Sequence, residues 1–297
     1  MAKKNILNLK GVIIKLAVSF ILLISVTTAW FIFAQDANVD TLDMDVSKAT
    51  SVSVSSGGEW SQKLEITHES EGAVKITEYS GNGKNLFGPV IVGKQVTSFY
   101  TIDETSANNG YIDFTLKFKA DGPVDVYLGD ESVLIPESYD GNLNNNGVSK
   151  NYIVGSVRLA MWCVETDAEP FIWVPNASFE YNPNTKKMSQ NGTVEDAYQY
   201  ATDTTVENIH TVQTNGAASG AADNGMFVWG NVGDVSISDM SPIITLDPAG
   251  NAEDIKTLNV RVWVEGTDRE AVKDFIGGRF KIKLNFKSVS KEGGAAE

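Results

Sequence analysis

Ile112, Phe114, Leu116 and Phe118 alternate with Asp113, Thr115, Lys117 and Lys119, and this period of two restricts the chain more than any other feature does. Successive side chains of a strand point to opposite faces, so the pattern puts four apolar groups on one side of a sheet and four polar groups on the other. The alternation recurs at Val124-Val126-Leu128, at Val157-Leu159-Met161-Cys163, at Leu258-Val260-Val262-Val264 and at Phe280-Ile282-Leu284-Phe286. Shorter β-rich runs lie at 51–55, 63–67, 74–79, 96–102, 171–174 and 226–229. Strands with one polar face predict antiparallel sheets, because strands inside a parallel sheet are apolar on both faces. The expected fold is all-β, a two-sheet antiparallel jelly-roll-like sandwich over residues 51–290.

Two short helices are expected to interrupt the sandwich. Thr193-Val194-Glu195-Asp196 opens the first with Thr193 as N-cap; the capping-box sequence Thr267-Asp268-Arg269-Glu270 opens the second, which stops at Gly277-Gly278. Asn176 to Gly225 reads as an insertion whose end, from Thr214, has almost nothing to bury and is expected to be a mobile surface loop. Asp140 to Gly147 is a second loop, and residues 291–297 are expected to form a disordered tail.

The first 34 residues speak of location. Lys3, Lys4, Lys10 and Lys15 precede a run without charge from Leu16 to Ala34, and the next basic residue is Lys48. Asp36, Asp40, Asp43 and Asp45 lie beyond the run. This asymmetry predicts an N-terminal hydrophobic helix that directs the rest of the chain outward across a membrane. Thr27-Thr28-Ala29 is a small-x-small site, so cleavage by a signal peptidase is expected between Ala29 and Trp30. The alternative is a retained anchor, since 19 residues just reach across a bilayer. Residues 1–29 are thus a signal peptide or membrane segment, and 30–50 an N-terminal extension.

Cleavage takes away four lysines and no acid, which moves the formal charge from −14 to −18. Such a surface repels nucleic acid and anionic lipid and favours solubility or capture of cations. The single cysteine, Cys163, has no intramolecular partner, so disulfides cannot hold the fold; its setting in an apolar run predicts a small buried residue.

The chain carries little recognisable chemistry. His68 and His210 are 142 residues apart without cysteine neighbours, which leaves zinc unsupported. No Gly-x-Ser-x-Gly elbow is present, and Gly81-Asn82-Gly83 lacks the third glycine of a dinucleotide loop and reads as a turn. Asp140, Asn142 and Asn144 have the first spacings of a calcium loop, but Asn145 replaces its glycine and Asn151 its glutamate, so the reading is a flexible polar loop. No cofactor is implied and no activity as an enzyme is expected. Trp263 is a candidate platform for stacking a sugar ring; the competing expectation is that the helix after Thr267 covers it. The sequons at Asn176-Ala-Ser178 and Asn191-Gly-Thr193 matter only in a host that glycosylates.

Leu42, Met44 and Val46 alternate with Asp43, Asp45 and Ser47 at the start of the exported chain. This short strand has two fates open to it. It forms an edge strand of its own sandwich, or it pairs with the sheet of a neighbouring molecule by strand addition.

The run ending Thr27-Thr28-Ala29-Trp30-Phe31 resembles the segments processed by the specialised Gram-positive signal peptidase that matures the biofilm-matrix proteins TasA and camelysin. The remainder is similar to a group of secreted clostridial proteins. Three blocks carry that likeness: Ser51 to Ser61 with Gly57-Gly58-Glu59-Trp60-Ser61; Val157-Arg158-Leu159-Ala160 followed by Phe171 to Asn176; and Val260-Arg261-Val262-Trp263-Val264-Glu265-Gly266-Thr267-Asp268. The resemblance to the matrix family implies fibres in which the N-terminal strand of one subunit completes the next.

The expectation is therefore a non-enzymatic extracellular structural protein, a cell-surface or biofilm-matrix fibre subunit whose main partner is itself. The C-terminal residues show no apolar anchor and no Leu-Pro-x-Thr-Gly, so retention at the surface is expected to rest on association. The alternative is a secreted or membrane-anchored module that binds cell-surface polysaccharide through Trp263, Trp60 or Trp229.

Overall fold

The computed structural model describes residues 39–47, 52–61, 63–66, 78–92, 95–102, 110–136, 150–166, 168–177, 179–182, 187–190, 199–200, 219–248, 253–268, 271 and 278–291. The expected leader, the helix at Thr193, the Asp140–Gly147 loop, both histidines, most of the helix after Thr267 and the tail after Lys291 lie outside the described residues. The strands are, in chain order, β1 (Val39–Ser47), β2 (Val52–Ser55), β3 (Lys63–Ile66), β4 (Glu78–Gly81), β5 (Leu86–Val92), β6 (Gln95–Thr101), β7 (Tyr111–Ala120), β8 (Val124–Leu128), β9 (Val133–Pro136) and β10 (Val157–Cys163). They continue with β11 (Phe171–Val174), β12 (Phe179–Asn182), β13 (Lys187–Gln190), β14 (Gln199–Tyr200), β15 (Gly220–Ala222), β16 (Phe227–Trp229), β17 (Ile244–Leu246), β18 (Asp254–Glu265) and β19 (Phe280–Ser290). Only short 3-10 segments, such as Lys150–Ser156 and Val232–Asp234, are helical among the described residues.

These strands form two large sheets. A six-stranded sheet runs β17-β8-β19-β1-β3, with β9 also on β19; an eleven-stranded sheet runs β14-β6-β5-β4-β18-β10-β11-β16-β15, with β7 on β18 and β2 on β7. A separate pair joins β12 to β13. The expectation of purely antiparallel sheets is corrected here. β1 lies parallel to β19, β4 to β18, β16 to β11 and β14 to β6. A polar outer face shows that solvent wets one side of a sheet, but strand direction follows from where the chain re-enters it.

The apolar half of each alternating run meets in one buried cluster. Leu116 and Phe118 of β7, Val260 and Val262 of β18, and Leu159 and Met161 of β10 join Val126 and Leu128 of β8 and Ile282, Leu284 and Phe286 of β19. Residues of both sheets therefore share the core, and the Phe118 and Phe286 rings cross between them at 5.1 Å with an interplanar angle of 79°. Each such large side chain contributes roughly 1.5–3 kcal/mol on burial. Cys163 lies here as a free, buried thiol, as its sequence setting predicts.

The larger sheet departs from simple alternation at its centre. Every residue from Val157 to Met161, the Arg158 and Ala160 positions included, is buried, as are all four of β11. A second apolar cluster of Leu86, Tyr111, Ala160, Ile172, Val174, Phe227, Trp229 and Trp263 covers the face turned away from the first core. The β4–β5 turn closes onto it. Asn82 Oδ1 accepts the Asn85 N–H at 2.8 Å, and Gly83 lies so close that a Cβ there would stand 2.1 Å from Ala160 Cβ.

Part of the expected mobile loop is ordered. Residues 220–222 pair antiparallel with 227–229. Asp223 and Asn224 take left-handed backbone at φ 51° and 55°, the conformation a tight hairpin turn favours. Gly220 has no side chain to obstruct Trp229, whose ring lies against it.

Candidate functional site

The strand singled out by the alternation of Leu42, Met44 and Val46 sits inside a sheet. β1 runs between β19 and β3, parallel to the first and antiparallel to the second. Leu42, Met44 and Val46 stand opposite Ile282, Leu284 and Phe286, three residues that are 0–2% exposed. Leu42 and Met44 also stand opposite Ile66 and Leu64. One-residue slippage would set the aspartates against this apolar row, so the pattern fixes the register. Asp43 is paired in register with Lys283, and the Lys283 ammonium reaches Glu131 Oε2 at 2.6 Å. The strand is thus an inner member of its own sheet, neither a sheet edge nor a free arm, and β3 has no partner but β1 among the described residues. Four residues, 48–51, connect β1 to β2 in the other sheet.

Ala29 and Trp30, the expected cleavage site, lie outside the described residues. Trp263 is corrected as a ligand platform. It is 1% exposed, the Gly83 turn packs on its ring, and its indole N–H donates to Glu265 Oε2 at 3.1 Å, so no face is open for a sugar to stack on. Trp229 is also buried. Trp60 is half-buried with the Lys119 ammonium 4.9 Å from its ring centre. Asn176, the asparagine of the first sequon, donates its amide N–H to the carbonyls of Leu134 and Val154 at 2.9 and 3.4 Å. That nitrogen is the atom glycosylation would have to modify.

Beside Trp263 lies a cluster that sequence reading did not find. Arg158 of β10 is in register with Trp263 of β18. Its guanidinium bonds Asp268, and both side chains are nearly inaccessible. Glu265 accepts the Thr267 hydroxyl at 2.7 Å and the Thr267 amide at 3.2 Å. Thr267 therefore donates its hydroxyl backwards to Glu265, a use the capping-box reading did not anticipate. Ser80 Oγ lies near the carboxylate without meeting hydrogen-bond geometry. Burial pushes the Glu265 carboxyl above its ordinary 4.5; Arg158 and the bonds from Thr267 and Trp263 oppose this. On the same face Arg261 grips Asp113 through two bonds of 2.8 Å, stacks 3.9 Å over Tyr111 and donates to the Gly83 carbonyl. Arg158, Arg261, Glu265, Thr267 and Asp268 are buried while the Asp113 side chain is 46% exposed, and the cluster locks the β4–β5 turn, β10 and β18 together. Val157 to Ala160 and Val260 to Asp268, two blocks singled out in the sequence, meet here through the pairing of β10 with β18.

Among the described residues no three His, Cys, Asp or Glu side chains form a group able to hold a metal, and no helix is long and apolar enough to cross a membrane. Comparison with family models, with curated proteins and with solved structures finds no match.

Proposed function

We propose that this protein is an extracellular structural subunit, a jelly-roll-like sandwich that builds surface or biofilm-matrix fibres when β1 of one copy takes, in a neighbour, the place it holds here in its own chain. The observation that carries this reading is the position of β1. A strand from near the start of the exported chain lies between two partners and supplies the residues opposite Ile282, Leu284 and Phe286. Exchange of an identical element keeps every native contact, so its intrinsic cost is small. Each subunit would then offer one strand and one vacated place. Such head-to-tail contact makes an open filament wherever the rotation between copies does not close a ring.

Negative-stain microscopy of the exported chain at raised concentration tests the proposal. Filaments that disappear when residues 39–47 are deleted support it. A chain that stays monomeric at every concentration, or filaments that survive the deletion, would overturn it.

A further inference from the structure

A cleft that β1 does not line has the chemistry of a small ligand site. It holds about 230 Å³ between β9 and the segment that follows β16, below the roughly 300–1,000 Å³ of sites for drug-sized molecules and sized for one ring. One wall is β9, where Val133 and Ile135 are 40% and 38% exposed. The other is built by Gly230, Asn231 and Asp234 and is held firmly. Trp173 Nε1 donates to the Gly230 carbonyl at 3.1 Å, Ser219 Oγ accepts the Asn231 amide at 3.0 Å and donates to Asp234 Oδ2 at 3.3 Å, and Asn231 Oδ1 accepts the Gly233 amide at 3.1 Å. These bonds occupy only part of the polar capacity. Asn176 Oδ1, Asn231 Nδ2 and Asp234 Oδ1 hold no protein hydrogen bond among the described residues.

The lining selects a ligand class. Among the described residues no lysine, arginine or histidine borders the cleft, so none of them offers an anion a counter-charge. An apolar molecule would strip water from the free amide and carboxylate groups with nothing in return. An extended peptide added to β9 would compete with Asn176, which already bonds the Leu134 carbonyl. Amides and a carboxylate on a firm scaffold, facing exposed valine and isoleucine, suit a ring with hydroxyl groups at its rim and C–H groups on its face. We infer that this cleft binds one ring of a neutral saccharide, with Asp234 accepting hydroxyl hydrogens and Asn176 and Asn231 completing the recognition.

The test is an amide NMR titration of the exported chain with glucose, N-acetylglucosamine and the trisaccharide of each. The expected result is a saturable shift of the Val133, Ile135, Asn231 and Gly233 signals with at least one of these four. Asp234→Ala should weaken that binding about tenfold or more, the worth of one charge-assisted hydrogen bond. Asp234→Asn, which keeps shape and one acceptor oxygen, should fall between the two. Melting curves of both variants establish that they are folded. Absence of a saturable shift with all four sugars, equal binding by folded Asp234→Ala, or shifts produced by calcium or ammonium instead of sugar would each overturn the inference. Assembly through β1 is read by microscopy and does not enter this titration.

Discussion

Glu265 is a buried carboxyl that accepts bonds from Trp263 and Thr267. Its burial raises the carboxyl above 4.5, so the folded chain holds that proton more tightly than the unfolded chain does. The contribution of Glu265 to stability is therefore fully present below about 4.5, declines as pH rises through the raised folded value, and is constant above it. Urea midpoints measured from about pH 4 to pH 8 should show the wild type losing stability relative to Glu265→Gln across that window; parallel curves would remove Glu265 as the titrating group. Gly83 permits a sharper experiment. Its φ of +86° and the contact that a Cβ would make with Ala160 both exclude a side chain, so Gly83→Val should cost more than about 2 kcal/mol in urea unfolding. The sequence marked Gly81-Asn82-Gly83 as a turn, but its seat on Ala160 and Trp263 depends on partners nearly eighty residues or more away. The cluster of Arg158, Glu265 and Asp268 was hidden for the same reason: its acids and its arginine are 107 and 110 positions apart, and only the pairing of β10 with β18 brings them together.

Among the elements, long alternating runs were legible and short or punctuated ones were not. β7, β10, β18 and β19 emerge where the period of two places them, because each buries three or more apolar side chains on one face. β5 was missed. Gly88 and Pro89 interrupt its pattern, yet Gly88 is what lets the Tyr100 ring lie across the hairpin. β9 and β17, four and three residues long, are too short to show a period. β1 was legible as a strand but not as an inner one, since alternation says which face is apolar and nothing of which strands flank it. Met44 stands opposite Leu284 and Leu64, so Met44→Asp should cost the monomer several kcal/mol and abolish assembly. A wild-type peptide of residues 39–47 added to a chain lacking that strand should restore its melting temperature. Failure of the peptide to bind would mean the place cannot be filled from outside, and strand exchange would fall with it.

At the scale of the whole molecule, the proposed export and the proposed assembly would be linked through the N-terminus. The described residues from Val39 to Lys291 belong to one compact unit, and β1 begins at Val39, so under the proposed strand exchange the length of chain ahead of it would set how freely the strand leaves. Mass spectrometry of the cell-surface fraction should find a first residue between Trp30 and Asn38. A chain that keeps Lys3 to Ala29 would be tethered, and its strand would reach only neighbours in the same membrane. The amino-acid sequence by itself determined the β class, the apolar face of each long strand and the buried setting of Cys163, because these depend on local periodicity. Tertiary structure alone decided that four strand pairs run parallel, that Trp263 is sealed under a turn, that β1 lies between β19 and β3, and that Asn176, Asn231 and Asp234 line one cleft. Each of those depends on which distant segments become neighbours, and burial settles that choice over the whole core at once.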